Sequence, residues 1–184
     1  MQKGKQILSP AKFKITLARL ASQVIENYDD KSPLYIIGIQ EKGVILAERI
    51  IEILKSLNVQ QEINLGKLDI TFYRDDFRMR DKPLSANSTL IDFDIDSKNI
   101  LLVDDVLYTG RTIHAAISAL QDLGRVNQIE LLTMVDRRFN RHFPIVSDYT
   151  GMQVDSVDEA YVRVMWEQHD GADKVLIFSA QKDQ

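Results

Sequence analysis

The hydrophobic patterns along the chain predict strands and helices in alternation. Apolar residues recur at helical spacing after Ser9-Pro10 and predict a helix to about Glu26, with serine as the N-cap and proline at the first helical position. Apolar runs at 34–39 and 100–103 have the length and branched side chains of buried strands, and residues 128–135 predict a further core strand. A short loop and a helical pattern follow the first two runs, so the predicted fold class is α/β, with an open, mainly parallel sheet flanked by helices.

Weaker patterns complete the predicted elements. Residues 66–73 alternate polar and apolar positions and predict a half-buried strand, whereas the charged run 74–82 has no apolar stripe and predicts a solvated loop. Residues 160–167 alternate in the manner of an edge strand, and 174–178 predict a final strand. We interpret Trp166 as a packing residue rather than a functional one.

The stretch from residue 100 to residue 112 carries the clearest chemical signal. Its apolar run ends at two adjacent carboxylates, Asp104 and Asp105, and the residues before the next helical pattern are Tyr108, Thr109, Gly110, Arg111 and Thr112. A strand, a small-residue loop and a helix in this order form an anion cradle of backbone N–H groups at the positive end of the helix. Carboxylates just ahead of such a cradle can accept hydrogen bonds from the hydroxyls of a sugar whose phosphate is held there. A simpler alternative is that the two acids only stabilise the N-terminus of the following helix. That role alone would not require the whole sequence of residues 100–112.

Composition describes an ordinary globular protein and excludes several kinds of site. The 184 residues fit one domain, 1–184, and are 45% hydrophobic and 27% charged. The absence of cysteine excludes disulfides and thiolate metal sites, and the three scattered histidines lack metal-ligand spacing. No apolar run has the length of a membrane span, so we expect a cytoplasmic protein with no membrane partner. The net charge of −4 argues against nucleic-acid binding by the whole surface.

The string at residues 100–112 closely resembles the phosphoribosyl-pyrophosphate (PRPP) motif of type I phosphoribosyltransferases. That motif has four hydrophobic residues, two acids, a further hydrophobic residue and a Thr-Gly-x-Thr ending. The sequence VDDVLYTGRT is most similar to that of one branch of this family, whose members are both pyrimidine operon regulators and uracil phosphoribosyltransferases. The resemblance runs from about Gly4 to Phe178. It implies a type I phosphoribosyltransferase-like fold with a flexible flap and a small hood, assembled as a homodimer or homotetramer.

The resemblance assigns roles within the central motif and at a second loop. It implies that Asp104 and Asp105 position the ribose hydroxyls and that residues 108–112 bind the 5′-phosphate. The family's pyrophosphate loop falls on the four residues Gln40, Glu41, Lys42 and Gly43. Operon-regulator relatives often carry Lys-Thr-Arg-Gly there, so Lys42 matches the basic position whereas Glu41 is an unexpected negative charge. Without the resemblance, these four residues could be a plain turn between a strand and a helix.

The resemblance also implies a flap and a hood. The flap spans about 73–90, opens with Tyr73-Arg74 and closes over the diphosphate, and residues 90–95 form its returning strand. Arg74 matches the family's motif, and Arg78 and Arg80 are further candidates for neutralising the leaving group. The hood spans about 136–165, and the base lies against Val135, Asp136 and Arg137, where backbone groups alone could read its edge. For Tyr149-Thr150-Gly151, continuation of the hood and an apolar cover of the sheet remain alternatives.

The implied reaction transfers the phosphoribosyl group of PRPP to uracil and gives UMP and pyrophosphate, with Mg²⁺ bound mainly through substrate and water and no certain protein ligand. One alternative is a PRPP- or nucleotide-sensing regulator that binds messenger RNA. In this sequence Val146 and Met152 replace basic residues of the relatives, and Arg137, Arg138, Arg141 and His142 remain as a basic patch. Another alternative is transfer to a purine or other base, because the motif defines the donor and not the acceptor.

Overall fold

The computed structural model describes residues 4–28, 32–75, 88–155 and 160–178. Its centre is a five-stranded sheet in the order β3-β2-β4-β5-β6, in which every neighbouring pair is parallel. The strands of this sheet are β2 (Leu34–Ile39), β3 (Ile63–Leu68), β4 (Asn99–Leu107), β5 (Gln128–Arg138) and β6 (Tyr149–Asp155). A smaller antiparallel sheet in the order β1-β8-β7 consists of β1 (Lys5–Leu8), β7 (Tyr161–Met165) and β8 (Lys174–Phe178). The predicted α/β class with a parallel sheet is confirmed.

Helices cover both faces of the five-stranded sheet. One face is covered by α1 (Pro10–Asn27) and α2 (Lys42–Ser56) and the other by α3 (Arg111–Leu123). The short α4 (Glu167–Asp170) connects β7 and β8. In β4, Leu101 and Val103 belong to the core cluster shared with α1 and α2, whereas Ile100 and Leu102 belong to the cluster shared with α3. Because successive strand residues point to opposite faces, a strand with helices on both sides requires four apolar residues in a row.

The N-cap of α1 and the packing of Trp166 agree with the sequence patterns. Ser9 caps α1 by accepting a hydrogen bond from the N–H of Lys12 at 3.5 Å. Trp166 is 1% exposed and packs edge-on against Phe13, with ring centroids 5.3 Å apart, so its interpretation as a packing residue is confirmed. Among the described residues, the structure has no helix with both the length and the apolar character needed to cross a membrane.

The strand predicted over 66–73 is wrong in position. Strand β3 begins at Ile63 and ends at Leu68, and Thr71–Tyr73 form a short 3-10 helix. Asp69 causes this break, because its Oδ1 accepts hydrogen bonds from both the N–H and the hydroxyl of Thr71, at 2.6 and 2.5 Å. The chain therefore turns just after the carboxyl end of β3 and carries the next residues toward the cleft described below.

The returning flap strand predicted over 90–95 is also wrong. Within the described residues, this segment pairs only through an isolated bridge between Leu90 and Lys67. Its alternating pattern arises from packing, since Ile95 is buried and Phe93 lies against the Tyr35 ring with centroids 5.2 Å apart. Residues 76–87 of the predicted flap, including Arg78 and Arg80, lie outside the described residues.

Residues 149–151, for which the sequence leaves a hood or an apolar cover of the sheet open, lie in a strand. They begin β6, which pairs in parallel with β5 and forms the edge of the central sheet. Short apolar segments of this kind fit a cover or an edge strand equally well, and strand pairing decides between them. The edge strand predicted over residues 160–167 is confirmed, because β7 is an edge strand of the three-stranded sheet.

Candidate active site

Seven of the predicted site residues meet in a cleft at the carboxyl ends of the parallel strands, where ligands bind in open α/β sheets. The cleft has a volume of about 620 Å³. The loop after β2, the acids of β4 and the start of α3 all contribute to its wall, together with Arg74 from the chain after β3. The predicted residues that line the cleft are Gln40, Glu41, Lys42, Arg74, Asp104, Asp105 and Thr112. Asp69 and Thr71, which the sequence analysis did not single out, line it as well.

The loop of residues 40–43 packs directly against β4. A Cβ on Gly43 would overlap the carbonyl oxygen of Val103, so only glycine allows this close approach to the strand that carries the acids. The N–H of Gln40 donates to the carbonyl of Leu68 at 2.9 Å, and the peptide bond between Gln40 and Glu41 is cis. Helix α2 starts at Lys42, so its N-terminal N–H groups face the cleft.

The paired acids differ in their surroundings although both lie within β4. Asp104 is 8% exposed, and its Oδ1 accepts a hydrogen bond of 2.9 Å from the N–H of Asp105. Burial raises the pKa of the Asp104 carboxyl well above its ordinary value, and the neighbouring Asp105 carboxylate raises it further. Burial also raises the pKa of Asp105, but the ammonium of Lys42, 3.5 Å from its Oδ2, opposes that shift.

The predicted phosphate loop has the geometry of an anion cradle. Strand β4 ends at Leu107 and α3 begins at Arg111, so three residues separate them. Gly110 is the N-cap with a φ of 86°, a left-handed conformation that glycine adopts without strain. The Thr109 hydroxyl accepts from the N–H of Arg111 at 3.4 Å. The first N–H groups of α3 have no partner within the helix, as anion binding requires.

Two predicted residues are engaged elsewhere. The Tyr73 hydroxyl donates to Asp122 on α3 at 2.8 Å, and this bond raises the pKa of Tyr73. The guanidinium of Arg111 forms an ion pair with Asp75 and its Nε donates to Nδ1 of His142 at 3.3 Å. The structure therefore places residues at the start of the predicted flap against α3 and the phosphate loop.

The predicted base segment lies at the end of β5, beside the phosphate loop. Val135 packs in the hydrophobic core, and Asp136 and Arg137 are 6% and 5% exposed. The Arg137 guanidinium carbon lies 3.7 Å from the centroid of the Tyr108 ring, and burial lowers the Arg137 pKa. Arg141 bonds both the Asp136 carboxylate and the Tyr108 carbonyl. The sequence analysis counted Arg141 only within a basic patch, and no periodicity or spacing signals these two contacts.

The basic patch considered for RNA is largely engaged within the protein. Arg137 is buried against Tyr108, and Arg141 is paired with Asp136. Arg138 is exposed but forms two hydrogen bonds of 2.5 Å with the carboxylate of Asp155 on β6. Each of these contacts reduces the positive charge available to a phosphate backbone.

Within the part of the chain that the structure describes, no three histidine, aspartate or glutamate side chains are grouped to hold a metal ion. The cleft nevertheless contains two adjacent carboxylates, Asp104 and Asp105. One or two carboxylates combined with substrate oxygens and water are the usual environment of Mg²⁺. The donor set therefore fits a magnesium ion that arrives with a phosphorylated substrate.

Comparison with protein families and curated relatives places the chain in a known group. A family model described as a phosphoribosyl transferase domain matches residues 3–169. The Bifunctional protein PyrR of Caldicellulosiruptor bescii is 41% identical over 177 residues, which cover 96% of each chain. The protein of the same name from Gloeothece citriformis is 44% identical over 173 residues, which cover 92% of this chain and 94% of that one.

Solved structures agree on the fold. A hypoxanthine-guanine phosphoribosyltransferase from Bacillus anthracis superposes with a TM-score of 0.70 at 15% identity, covering 98% of this chain and 99% of that one. A hypoxanthine phosphoribosyltransferase from Staphylococcus aureus gives a TM-score of 0.69 at 19% identity, covering 97% and 93%. Identities this low establish the fold alone, whereas the family model and the relatives cover nearly the whole chain. The chain belongs to the phosphoribosyltransferase family.

Proposed function

We propose that the protein transfers the phosphoribosyl group of PRPP to N1 of uracil and releases pyrophosphate. The observation that carries this proposal is the position of Asp104 and Asp105 in one cleft with the residue 40–43 loop on one side and the start of α3 on the other. A diphosphate at the first loop and a 5′-phosphate at the second would place the ribose between them, against the two carboxylates. Uracil is favoured as the acceptor because the residue 100–112 string resembles the branch of the family whose members include uracil phosphoribosyltransferases.

The residues of the cleft fit a reaction in which positive charge develops on the sugar ring. Displacement at C1 of the ribose passes through a transition state that resembles an oxocarbenium ion, so binding, orientation and charge stabilisation are the main tasks of the protein. The carboxylates of Asp104 and Asp105 accept hydrogen bonds from the ribose hydroxyls and stabilise the cationic ring. Lys42 lines the same cleft, and its ammonium would stabilise the pyrophosphate as it leaves as an anion.

The two ends of the donor are held by backbone groups and basic side chains. The N–H groups of Thr109 to Thr112, with the two threonine hydroxyls, bind the 5′-phosphate at the N-terminus of α3. The N-terminus of α2 and Lys42 bind the diphosphate, and Arg74, which lines the same cleft, adds positive charge. Asp104 and Asp105 are the residues that would hold a bound Mg²⁺, which would supply positive charge to neutralise the diphosphate.

The base segment at the end of β5 supports the acceptor site. Asp136 and Arg137 are held rigidly, the first by Arg141 and the second by the Tyr108 ring, so the backbone beside them is well positioned to read a base edge. Arg137, Arg138 and Arg141 all make contacts within the protein, which leaves less positive charge for RNA. This supports the transferase over an RNA-binding regulator. We therefore propose substrate binding as the main role of the hood surface.

The test is transfer from labelled PRPP to a panel of bases. Uracil, cytosine, hypoxanthine, guanine and adenine are incubated separately with the enzyme, labelled PRPP and Mg²⁺, and nucleotide formation is measured. We expect UMP to form and the purines to give no product. Formation of a purine nucleotide in place of UMP would overturn the choice of uracil, and no nucleotide with any base would overturn the transferase proposal.

A further inference from the structure

The segment 141–145 holds the carbonyl groups of the phosphate loop. A guanidinium nitrogen of Arg141 donates to the carbonyl of Tyr108, and the N–H groups of His142 and Phe143 both donate to the carbonyl of Thr109, at 2.9 and 3.2 Å. In a trans peptide the C=O and the N–H of the same plane point in opposite directions. Anchoring these two carbonyls therefore orients the N–H groups of Thr109 and Gly110 toward the opposite side of the loop.

Further contacts make the same segment a close support for the loop. A Cβ on Gly110 would lie 3.3 Å from Phe143 and Ile145 side-chain atoms, so these residues lie directly against the turn. The Phe143 ring stacks on His114 of α3, with centroids 4.4 Å apart. The loop and the first turn of α3 therefore rest on the chain that follows β5.

Arg141 connects this support to the base segment. Its second guanidinium nitrogen pairs with the carboxylate of Asp136, which is only 6% exposed. The guanidinium is planar and its donors keep a fixed relative geometry, so a shift of either partner moves the other. One side chain thus spans from the residue predicted to lie against the base to the peptide predicted to bind the 5′-phosphate.

We infer that Arg141 is a positioning residue that couples the base site to the 5′-phosphate site. Arg141 contacts neither ligand itself. Because it bonds both Asp136 and the Tyr108 carbonyl, a shift of Asp136 also shifts that carbonyl and the N–H group of Thr109 in the same peptide. This inference rests on the proposed function, because it assumes the two ligand sites assigned there. Its consequence is that a phosphate ligand and a base bind cooperatively even when no covalent bond joins them.

The experiment measures that cooperativity directly in the whole protein. Calorimetric titrations give the affinity of ribose 5-phosphate alone, of uracil alone, and of uracil in the presence of saturating ribose 5-phosphate. We expect the wild-type protein to bind uracil about tenfold more tightly when ribose 5-phosphate is present, within the usual range of coupling between sites. In Arg141→Gln we expect this factor to fall to about one.

Two further variants separate coupling from a general loss of structure. Arg141→Lys keeps the charge but cannot hold both partners in one rigid plane, so we expect its coupling factor to fall to about one as well. It also provides the measurement if Arg141→Gln does not fold. Arg49→Gln is the matched control, because Arg49 pairs with Asp173 at similar burial, on α2 and away from the cleft. We expect Arg49→Gln to lower the melting temperature and to leave the coupling factor unchanged.

The outcomes distinguish this inference from the proposed function. Independent binding of ribose 5-phosphate and uracil by the wild-type protein would overturn the inference and leave the transferase intact. The same holds for a folded Arg141→Gln or Arg141→Lys variant that keeps the wild-type coupling factor. A wild-type protein that binds neither ligand and transfers to no base would overturn the proposed function itself.

Discussion

Lys42 places its ammonium 3.5 Å from Oδ2 of Asp105, so the first residue of α2 is paired with an acid of β4. The same ammonium lies 3.4 Å from the carbonyl oxygen of Val164 on β7. Lys42 therefore joins the loop after β2, the paired acids and the three-stranded sheet. Burial raises the pKa of Asp105, and the ammonium of Lys42 limits this rise.

Removing Lys42 should move the acidic limb of the pH–activity profile. Without the ammonium, burial raises the pKa of Asp105 unopposed, so the carboxylate becomes protonated at higher pH. We expect Lys42→Met to lower kcat/KM for PRPP by roughly tenfold or more, as the loss of a charged hydrogen bond would, and to shift the acidic limb to higher pH. The measurement is kcat/KM for PRPP from pH 5 to 8. Lys42→Arg keeps the charge and serves as the control, and an unshifted limb in Lys42→Met would contradict this role for the lysine.

Replacing Asp105 should abolish most of the turnover and leave the fold intact. Asparagine matches the shape of the carboxyl group but removes the charge that stabilises a cationic sugar ring. We expect Asp105→Asn to lower kcat by about 10²-fold or more, the usual size of such an electrostatic loss, with an unchanged circular dichroism spectrum. The assay is uracil-dependent release of pyrophosphate. A variant with wild-type turnover would remove the paired acids from the mechanism.

Replacing Asp104 should stabilise the protein at neutral pH. Its folded-state pKa lies above the unfolded value, so the native state holds the proton more tightly, and stability falls as the pH rises from the unfolded through the folded pKa. Asp104→Asn removes the buried charge, and the amide oxygen can still accept the Asp105 N–H. We expect the free energy of unfolding at pH 7 to rise by about 1 kcal/mol.

Urea unfolding at several pH values tests the Asp104 prediction. The gain should fade as the pH falls below the ordinary range of an aspartate, because both states of the wild-type protein are then protonated. Asp92→Asn, at an exposed position, is the control for a change of net charge. A loss of stability at pH 7 in Asp104→Asn would show that the carboxylate is better accommodated than its burial indicates.

The sequence could predict those parts of the site in which a single short segment determines both the local fold and the chemistry. The apolar run of β4 needs helices on both faces, and the turn at Gly110 needs a left-handed residue, so the residue 100–112 string indicates its strand, loop and helix without outside information. The loop after β2 was predictable for the same reason. Its close contact with β4 through Gly43 was not, because the pattern does not show which strands are neighbours.

The parts that could not be predicted depend on contacts between distant segments. The alternation at 90–95 matches a strand, but those side chains pack against the sheet, and Tyr149–Gly151 become a strand only because β5 offers a free edge. The two contacts of Arg141 reach Asp136 on β5 and Tyr108 just after the neighbouring strand β4, and an arginine in a basic stretch gives no sign of them. Tertiary pairing, not local propensity, decides each of these cases.

Replacing Gly43 should impair binding of the diphosphate part of PRPP. A Cβ there would overlap the Val103 carbonyl, which is backbone and cannot rotate away, so the loop must move off β4. We expect Gly43→Ala to lose about 1–3 kcal/mol of stability from overpacking and to raise the KM for PRPP. Gly124→Ala is the control for crowding away from the cleft, because the Cβ of residue 124, just after α3, would meet side-chain atoms of Ile95 and Asp96. It should lose stability and keep the wild-type KM, and a normal KM in Gly43→Ala would contradict the role of the close contact.

Releasing Arg138 should increase RNA binding if the hood surface contacts RNA at all. Arg138 is exposed and its charge is satisfied by Asp155, so Asp155→Asn frees one cation beside the base segment. We expect the wild-type protein to bind pyrimidine-operon leader RNA weakly, with a shallow dependence on salt. In Asp155→Asn the slope of log K against log salt should steepen by about 0.7, the value for one added contact to a single strand.

Filter binding between 50 and 200 mM salt provides that slope, with Asp170→Asn as the control. Asp170 pairs with Arg163 on β7, so this variant also releases one arginine, but on the three-stranded sheet. Equal steepening in both variants would indicate unspecific attraction to an added positive charge. A steep slope already present in the wild-type protein would show that the paired arginines exchange their carboxylate partners for phosphates, and it would restore the RNA-binding regulator as a second function of the same surface.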